Sequence, residues 1–83
     1  MVVYVVKTIA YGYRDHVDVY GVYSNLALAG RAAMQFINND SSIITFTRYE
    51  EPWGYLFDLE FRDDDGSWWQ YGQIEIGRVT VNE

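Results

Sequence analysis

Tyr55-Leu56-Phe57-Asp58-Leu59-Glu60-Phe61-Arg62, followed by Asp63-Asp64-Asp65-Gly66 and Ser67-Trp68-Trp69, is the stretch whose reading decides the fold. Tyr55, Phe57, Leu59 and Phe61 alternate with Leu56, Asp58, Glu60 and Arg62, so a strand here turns one face to a core and the other to water. The aspartates and Gly66 then supply a hairpin turn, the glycine because it adopts positive φ without strain. The strand after the turn therefore lies antiparallel beside the strand before it. Two registers are open. With Arg62 opposite Ser67, Phe61 meets Trp68 and Phe57 meets Gly72 on the core face, while Glu60 meets Trp69 and Asp58 meets Tyr71 outside. A three-residue turn shifts the pairing by one, turns Trp69 and Tyr71 inward and requires a bulge at Gly72 to return Ile74 and Ile76 to the core. The first needs no bulge and is the expected one.

Ile43 to Tyr49 reads as a preceding strand, with Ile44 and Phe46 on one side and Thr45 and Thr47 on the other, interrupted by Glu50-Glu51-Pro52. At the other end, Gly77 separates Ile76 from Val79 and Val81 and predicts a bend or break. Residues 2 to 11 are apolar on both faces except Lys7 and Thr8, which marks a central strand. Gly12, Arg14 and Asp15 signal a turn, and Val17 to Tyr23 completes a second hairpin. The pattern then changes from period 2 to period 3.6. Ser24 is the expected N-cap of a helix from about Asn25 to Ile37, with Leu26, Ala29, Gly30, Ala33, Phe36 and Ile37 on one stripe and Leu28 stranded on the solvent side with Gln35. Asn38 to Ser42 are turn formers. The fold expected is α+β: a single domain over residues 1–83, ordered β-β-α-β-β-β, with a mostly antiparallel sheet and one helix packed on one face.

Composition narrows the class. The chain has 83 residues, 49% of them hydrophobic and 18% aromatic, enough for one core and no second domain. It has no cysteine, which removes a disulfide framework or thiolate zinc site and favours a reducing, cytoplasmic home. No apolar run approaches the ~20 residues that span a bilayer, and no basic region precedes Val2-Val3-Tyr4-Val5-Val6, so neither anchor nor signal peptide is expected. The formal net charge is −6, and residues 50–65, with seven acids and one base, carry all of it. Such a chain is repelled by nucleic-acid phosphates and anionic lipid, so direct nucleic-acid or membrane binding is not expected and its partner should be basic.

Val3-Tyr4-Val5-Val6, Asp18-Val19-Tyr20-Gly21-Val22-Tyr23-Ser24, and Ala29 with Ala32-Ala33 resemble a group of small, uncharacterised phage and bacterial α+β domains, in which a hairpin enters a helix through a Gly-Val-aromatic-Ser step. The resemblance covers roughly residues 3–33. Ala29 fits it, whereas Ala27 stands where the group commonly has a glutamate that would complete a capping box. It implies a fold and a phage or mobile-element origin, with the host cytoplasm as the place of action, and no activity.

Catalytic equipment is sparse. His16, between Asp15 and Asp18, invites a general-base reading but has no nucleophile or phosphate loop near it in sequence, and a solvated turn histidine is the simpler expectation. Asp63-x-Asp65-Gly66 spaces its acids like a calcium loop, but Phe61 and Gly72 occupy positions where ligands would be required. Asp58 and Glu60 share a strand face roughly 6.5–7 Å apart, a spacing seen in inverting glycosidases, without a scaffold for a sugar cleft. No enzyme, metal or cofactor is expected.

Two readings of function remain, with a small enzyme or ligand-binding domain as a distant third. In the first, Glu50, Glu51, Trp53, Asp58, Glu60, Asp63, Asp64, Asp65, Trp69 and Tyr71 form an acidic and aromatic contact face for a basic protein surface, such as the nucleic-acid site of a host protein whose phosphate contacts the carboxylates would imitate. In the second, the aromatics and an exposed sheet edge join two copies into a structural homodimer, and the acids keep the assembly soluble.

Overall fold

The computed structural model describes residues 1–10, 16–41, 43, 45–62 and 64–82, with Ala10 and His16 described through their backbone alone. The turn expected around Gly12, Arg14 and Asp15, the side chains of His16 and Ile44, and Asp63 lie outside the described residues. The elements are β1 (Val2–Ala10), β2 (His16–Tyr23), α1 (Leu26–Asn39), β3 (Thr45–Glu51), β4 (Gly54–Arg62) and β5 (Trp68–Thr80). They make one five-stranded sheet in the order β2-β1-β5-β4-β3. Every neighbouring pair is antiparallel, so the expected α+β, β-β-α-β-β-β domain is what forms.

Cross-strand partners share a face of a sheet, so the pairing sorts every strand residue into one of two sides. On one side Val6 faces Ile76, and Phe57 faces Ile74. These four, with Leu59, are buried together with Ala29, Ala33 and Ile37 of α1, and Ile43 completes the cluster. The small alanines let the helix backbone approach the sheet closely. The helix packs over β1, β2 and β5 and leaves the β3 end of that side uncovered. Asn25, rather than Ser24, is the N-cap, its Oδ1 accepting from the Leu28 amide at 2.9 Å. Leu28 is exposed, as its place on the helical wheel predicts.

The expected register of the β4–β5 hairpin is not the one adopted. Arg62 pairs with Trp68, Phe61 with Trp69 and Glu60 with Gln70; then the register slips, so that Leu59 pairs with Gly72 and Phe57 with Ile74. Tyr71 is the extra residue of a β-bulge. The physical reason lies in the core: without the bulge one end of β5 would present the wrong alternation, whereas with it Ile74 and Ile76 reach the interior behind Tyr71. β5 also runs unbroken through Gly77, which pairs with Val5 on one side and Gly54 on the other, so the bend expected there is absent. A strand hydrogen-bonded on both flanks has no freedom to break at one glycine. β3 likewise continues past Tyr49 to Glu51, which pairs with Gly54 across a tight turn made by Pro52 and Trp53.

A second bulge sits in β2. Val6 pairs with Gly21 but Lys7 with Val19, leaving Tyr20 as the extra residue. Tyr20 therefore turns toward the helix, where its ring meets Phe36 edge-on with centroids 5.6 Å apart. Val17, Val19 and Val22 fall on the opposite side of the sheet, with no layer over them among the described residues, and all three are exposed.

Candidate functional site

Of the ten residues named from sequence, nine are described, Asp63 lying outside the described residues, and they fall into four groups. Glu50, Glu51 and Trp53 converge at the β3–β4 turn. With Tyr4, Leu26, Pro52, Gly54, Tyr55 and Arg78 they line a cleft of about 190 Å³, in the step between the start of α1 and the uncovered end of the sheet. The turn is held there by backbone contacts. The Arg78 amide donates to the Trp53 carbonyl at 2.9 Å. Gly54, at φ +149°, approaches β5 so closely that a Cβ would lie 1.8 Å from the Ile76 carbonyl oxygen. Only glycine meets both demands, and its place in the chain fixes where Trp53 sits. Trp53 is partly exposed beside the acids. The Arg48 guanidinium lies 5.4 Å from the centroid of the Tyr55 ring, so an aromatic face bordering the cleft already accepts a cation.

Asp58 and Glu60 occupy the other side of the sheet. Both are half-buried, and Asp58 Oδ1 accepts from Gln73 Nε2 at 2.8 Å. Glu75, cross-strand from Leu56 and Lys7, adds a further carboxylate to this side. Glu51, opposite Gly54, belongs to the same side by pairing.

Asp64 and Asp65 lie at the far end of β4 in the β4–β5 turn, where Asp65 Oδ1 accepts from the Ser67 amide at 2.8 Å. That hydrogen bond holds the Asp65 carboxyl below the usual aspartate range. Nine residues of β4 separate these acids from Glu51, a distance of roughly 27–30 Å along the strand. Trp69 stays exposed, but on the helix side opposite Phe61, because the bulge reverses its sense relative to Glu60. Tyr71 is half-buried, in edge contact with Phe61, and its hydroxyl donates to the Asp40 carboxylate at the C-terminal end of α1. The bond to Asp40, followed by burial and the negative charge of the same carboxylate, raises the Tyr71 phenol above its ordinary value.

The single acidic and aromatic face expected around Asp58, Glu60, Trp69 and Tyr71 is thus divided by the sheet. Asp58 and Glu60 share their side with Trp68, whose ring lies under the Arg62 guanidinium at 5.6 Å, and not with Trp69 or Tyr71. What the structure brings together instead is the Glu50, Glu51 and Trp53 group. Tyr4, Tyr55 and Arg78 of that cleft carry no mark in the sequence, because they come from three strands and meet only through sheet pairing. Pro52 and Gly54, on either side of Trp53, are the local signs of a constrained turn.

Among the described residues no helix is long and apolar enough to cross a membrane. No protein-family model matches the chain, and comparison with curated proteins and with solved structures brings up no similar protein.

Proposed function

We propose that this protein is a non-enzymatic interaction module that engages a basic surface of another protein, with the Glu50, Glu51 and Trp53 cleft as its anchor. The observation that supports this is that Glu50, on the helix side, shares one recess with Trp53, Tyr4 and Tyr55, a recess that Glu51 and Arg78 also line. A lysine or arginine side chain entering it would meet negative charge and aromatic faces together, the combination that binds cations best where water is partly excluded. The excess of acid over base, concentrated in residues 50–65, would steer such a partner and speed association at low ionic strength. The partner class this favours is a nucleic-acid-binding surface, which is basic because it meets phosphates.

Calorimetric titration against a panel of basic nucleic-acid-binding proteins at low and high salt tests the reading. The expected outcome is salt-sensitive binding that weakens roughly tenfold or more in a Glu50→Lys, Glu51→Lys variant and by a similar factor in Trp53→Ala. Absence of binding at low salt across the panel, or affinities indifferent to all three substitutions, would end it.

A further inference from the structure

The side of the sheet away from α1 is not a uniform wet face. Its rows can be read across the pairing. Val17, Ile9, Gln73, Asp58 and Thr47 form one row; Val19, Lys7, Glu75, Leu56 and Tyr49 the next; Val22, Val5, Gly77, Gly54 and Glu51 a third. Val3 and Val79 pair in a fourth. The β2 and β1 columns are therefore apolar apart from Lys7, and the acids are confined to β5, β4 and β3. The valines of β2 are 57%, 61% and 58% exposed, which for a contiguous β-branched patch marks a contact surface rather than scattered surface residues.

Val79 of β5, cross-strand from Val3, is also 45% exposed, so the apolar patch runs from β2 across β1 onto β5. We propose that the covering layer is a second copy of this chain, packed sheet on sheet with β1 at the centre of the contact and β2 and β5 flanking it. Three features favour a copy over a charged partner. The apolar columns are β-branched, the surface that packs against another of its kind at about 10 Å between sheets. Lys7 has Glu75 as its cross-strand neighbour, so the centre of the patch carries no net charge to recruit a partner of one sign. Asp58, Glu60 and Glu51, on β4 and β3, fall at the rim, where charge belongs in an interface.

Pairing through edges is the less favourable route to the same dimer. β2 is bulged at Tyr20, and β3 carries Arg48, Glu50 and Glu51, both devices that blunt an edge. Glu50, Tyr4, Tyr55 and Arg78 of the cleft lie on the helix side, so association through the valine face leaves them accessible, while Glu51 sits at the rim of that face; Glu50→Lys therefore tests the cleft apart from the dimer.

Sedimentation equilibrium of the full chain from micromolar to near-millimolar concentration decides the matter. Wild type should approach twice the 9.7 kDa chain mass. Val19→Lys should raise the dimer dissociation constant roughly tenfold or more while keeping the far-ultraviolet sheet spectrum, since the new ammonium would be desolvated in the contact. If Val19→Lys loses that spectrum, a triple Val17→Thr, Val19→Thr, Val22→Thr variant keeps β-branched shape and gives the same readout. Trp69→Ala, on the opposite side, should leave the association unchanged. Wild type that stays monomeric throughout, a valine variant that associates as well as wild type, or a dimer dissolved by Trp69→Ala would overturn the proposal.

Discussion

The two sides of this sheet are built from similar residues and meet opposite fates. On the helix side Val6, Leu59, Ile74 and Ile76 have essentially no exposure; on the other, Val17, Val19 and Val22 keep more than half of theirs. Apolar content does not distinguish them. What does is the layer above: α1 buries one side with its alanine stripe, and the described residues supply no second layer for the other. Stability should accordingly reside on the covered side. Leu59→Ala removes a fully buried side chain and should cost about 3–5 kcal/mol in urea unfolding, the largest single-residue effect expected in this chain. A loss under about 1 kcal/mol would mean that the helix does not seal that side.

Next in size is the backbone contact that carries the cleft. Gly54→Ala would place a methyl against the Ile76 carbonyl at a φ that disfavours L-residues, and β4 would have to part from β5 at its first pair. A loss of about 2–3 kcal/mol is expected. Nuclear magnetic resonance should localise the shifts to the β3–β4 turn, Gly77 and Arg78, leaving the valines of β2 unchanged. Shifts spread over β2 would show that the two ends of the sheet are coupled.

The element order is legible in the sequence because strong alternation in 55–62, a glycine-bearing aspartate turn and a change of period after Ser24 are local signals. The two bulges are less legible. Each inserts one residue, Tyr20 or Tyr71, and an inserted residue is visible in sequence only as an aromatic beside a glycine within an otherwise regular run, at Tyr20-Gly21 and Tyr71-Gly72. At the second, strand pattern alone favours the register that asks for no irregularity, and that register puts Trp69 beside Glu60 instead of Phe61. The acidic cluster is legible as composition but not as a surface, since residues adjacent on a strand point to opposite sides of a sheet. Of the ten residues named, Glu50, Glu51 and Trp53 line one cleft because the tight turn follows directly on the end of β3, although by pairing the two glutamates lie on opposite sides of the sheet.

The attachment of the helix at its two ends offers smaller and more specific tests of the covered side. Tyr71→Phe removes a hydroxyl donated to the Asp40 carboxylate and should cost about 1.5 kcal/mol near neutrality. Its pH signature is distinctive. Because folding raises the Tyr71 phenol, the contribution is present in full below the unfolded-state value near 10 and is lost as pH rises through the higher folded value. Wild-type stability should therefore fall more steeply than that of Tyr71→Phe above pH 10; parallel curves would show that the bond does not persist in solution. Asn25→Ala removes the cap at the other end and should cost about 1 kcal/mol, with Ser24→Ala close to neutral by the same measurement. The reverse order would restore Ser24 as the cap.

The smallest expected effect sharpens the contrast between the sides most. Val19→Thr keeps the β-branched shape and strand preference while adding a hydroxyl at a position 61% exposed in the single chain. In dilute protein, where association is negligible, water solvates that hydroxyl and the change should stay within about 0.5 kcal/mol. At concentrations where two copies pair, the same hydroxyl is carried into an apolar contact without a partner, and the apparent loss should grow with concentration because association is linked to folding by mass action. A substitution on the helix side has no such dependence of its own: the cost of Leu59→Ala is incurred within one chain. A loss above about 2 kcal/mol for Val19→Thr in the dilute limit would place a covering layer over the valines within the monomer itself, and the distinction between a sealed side and an open one would fail.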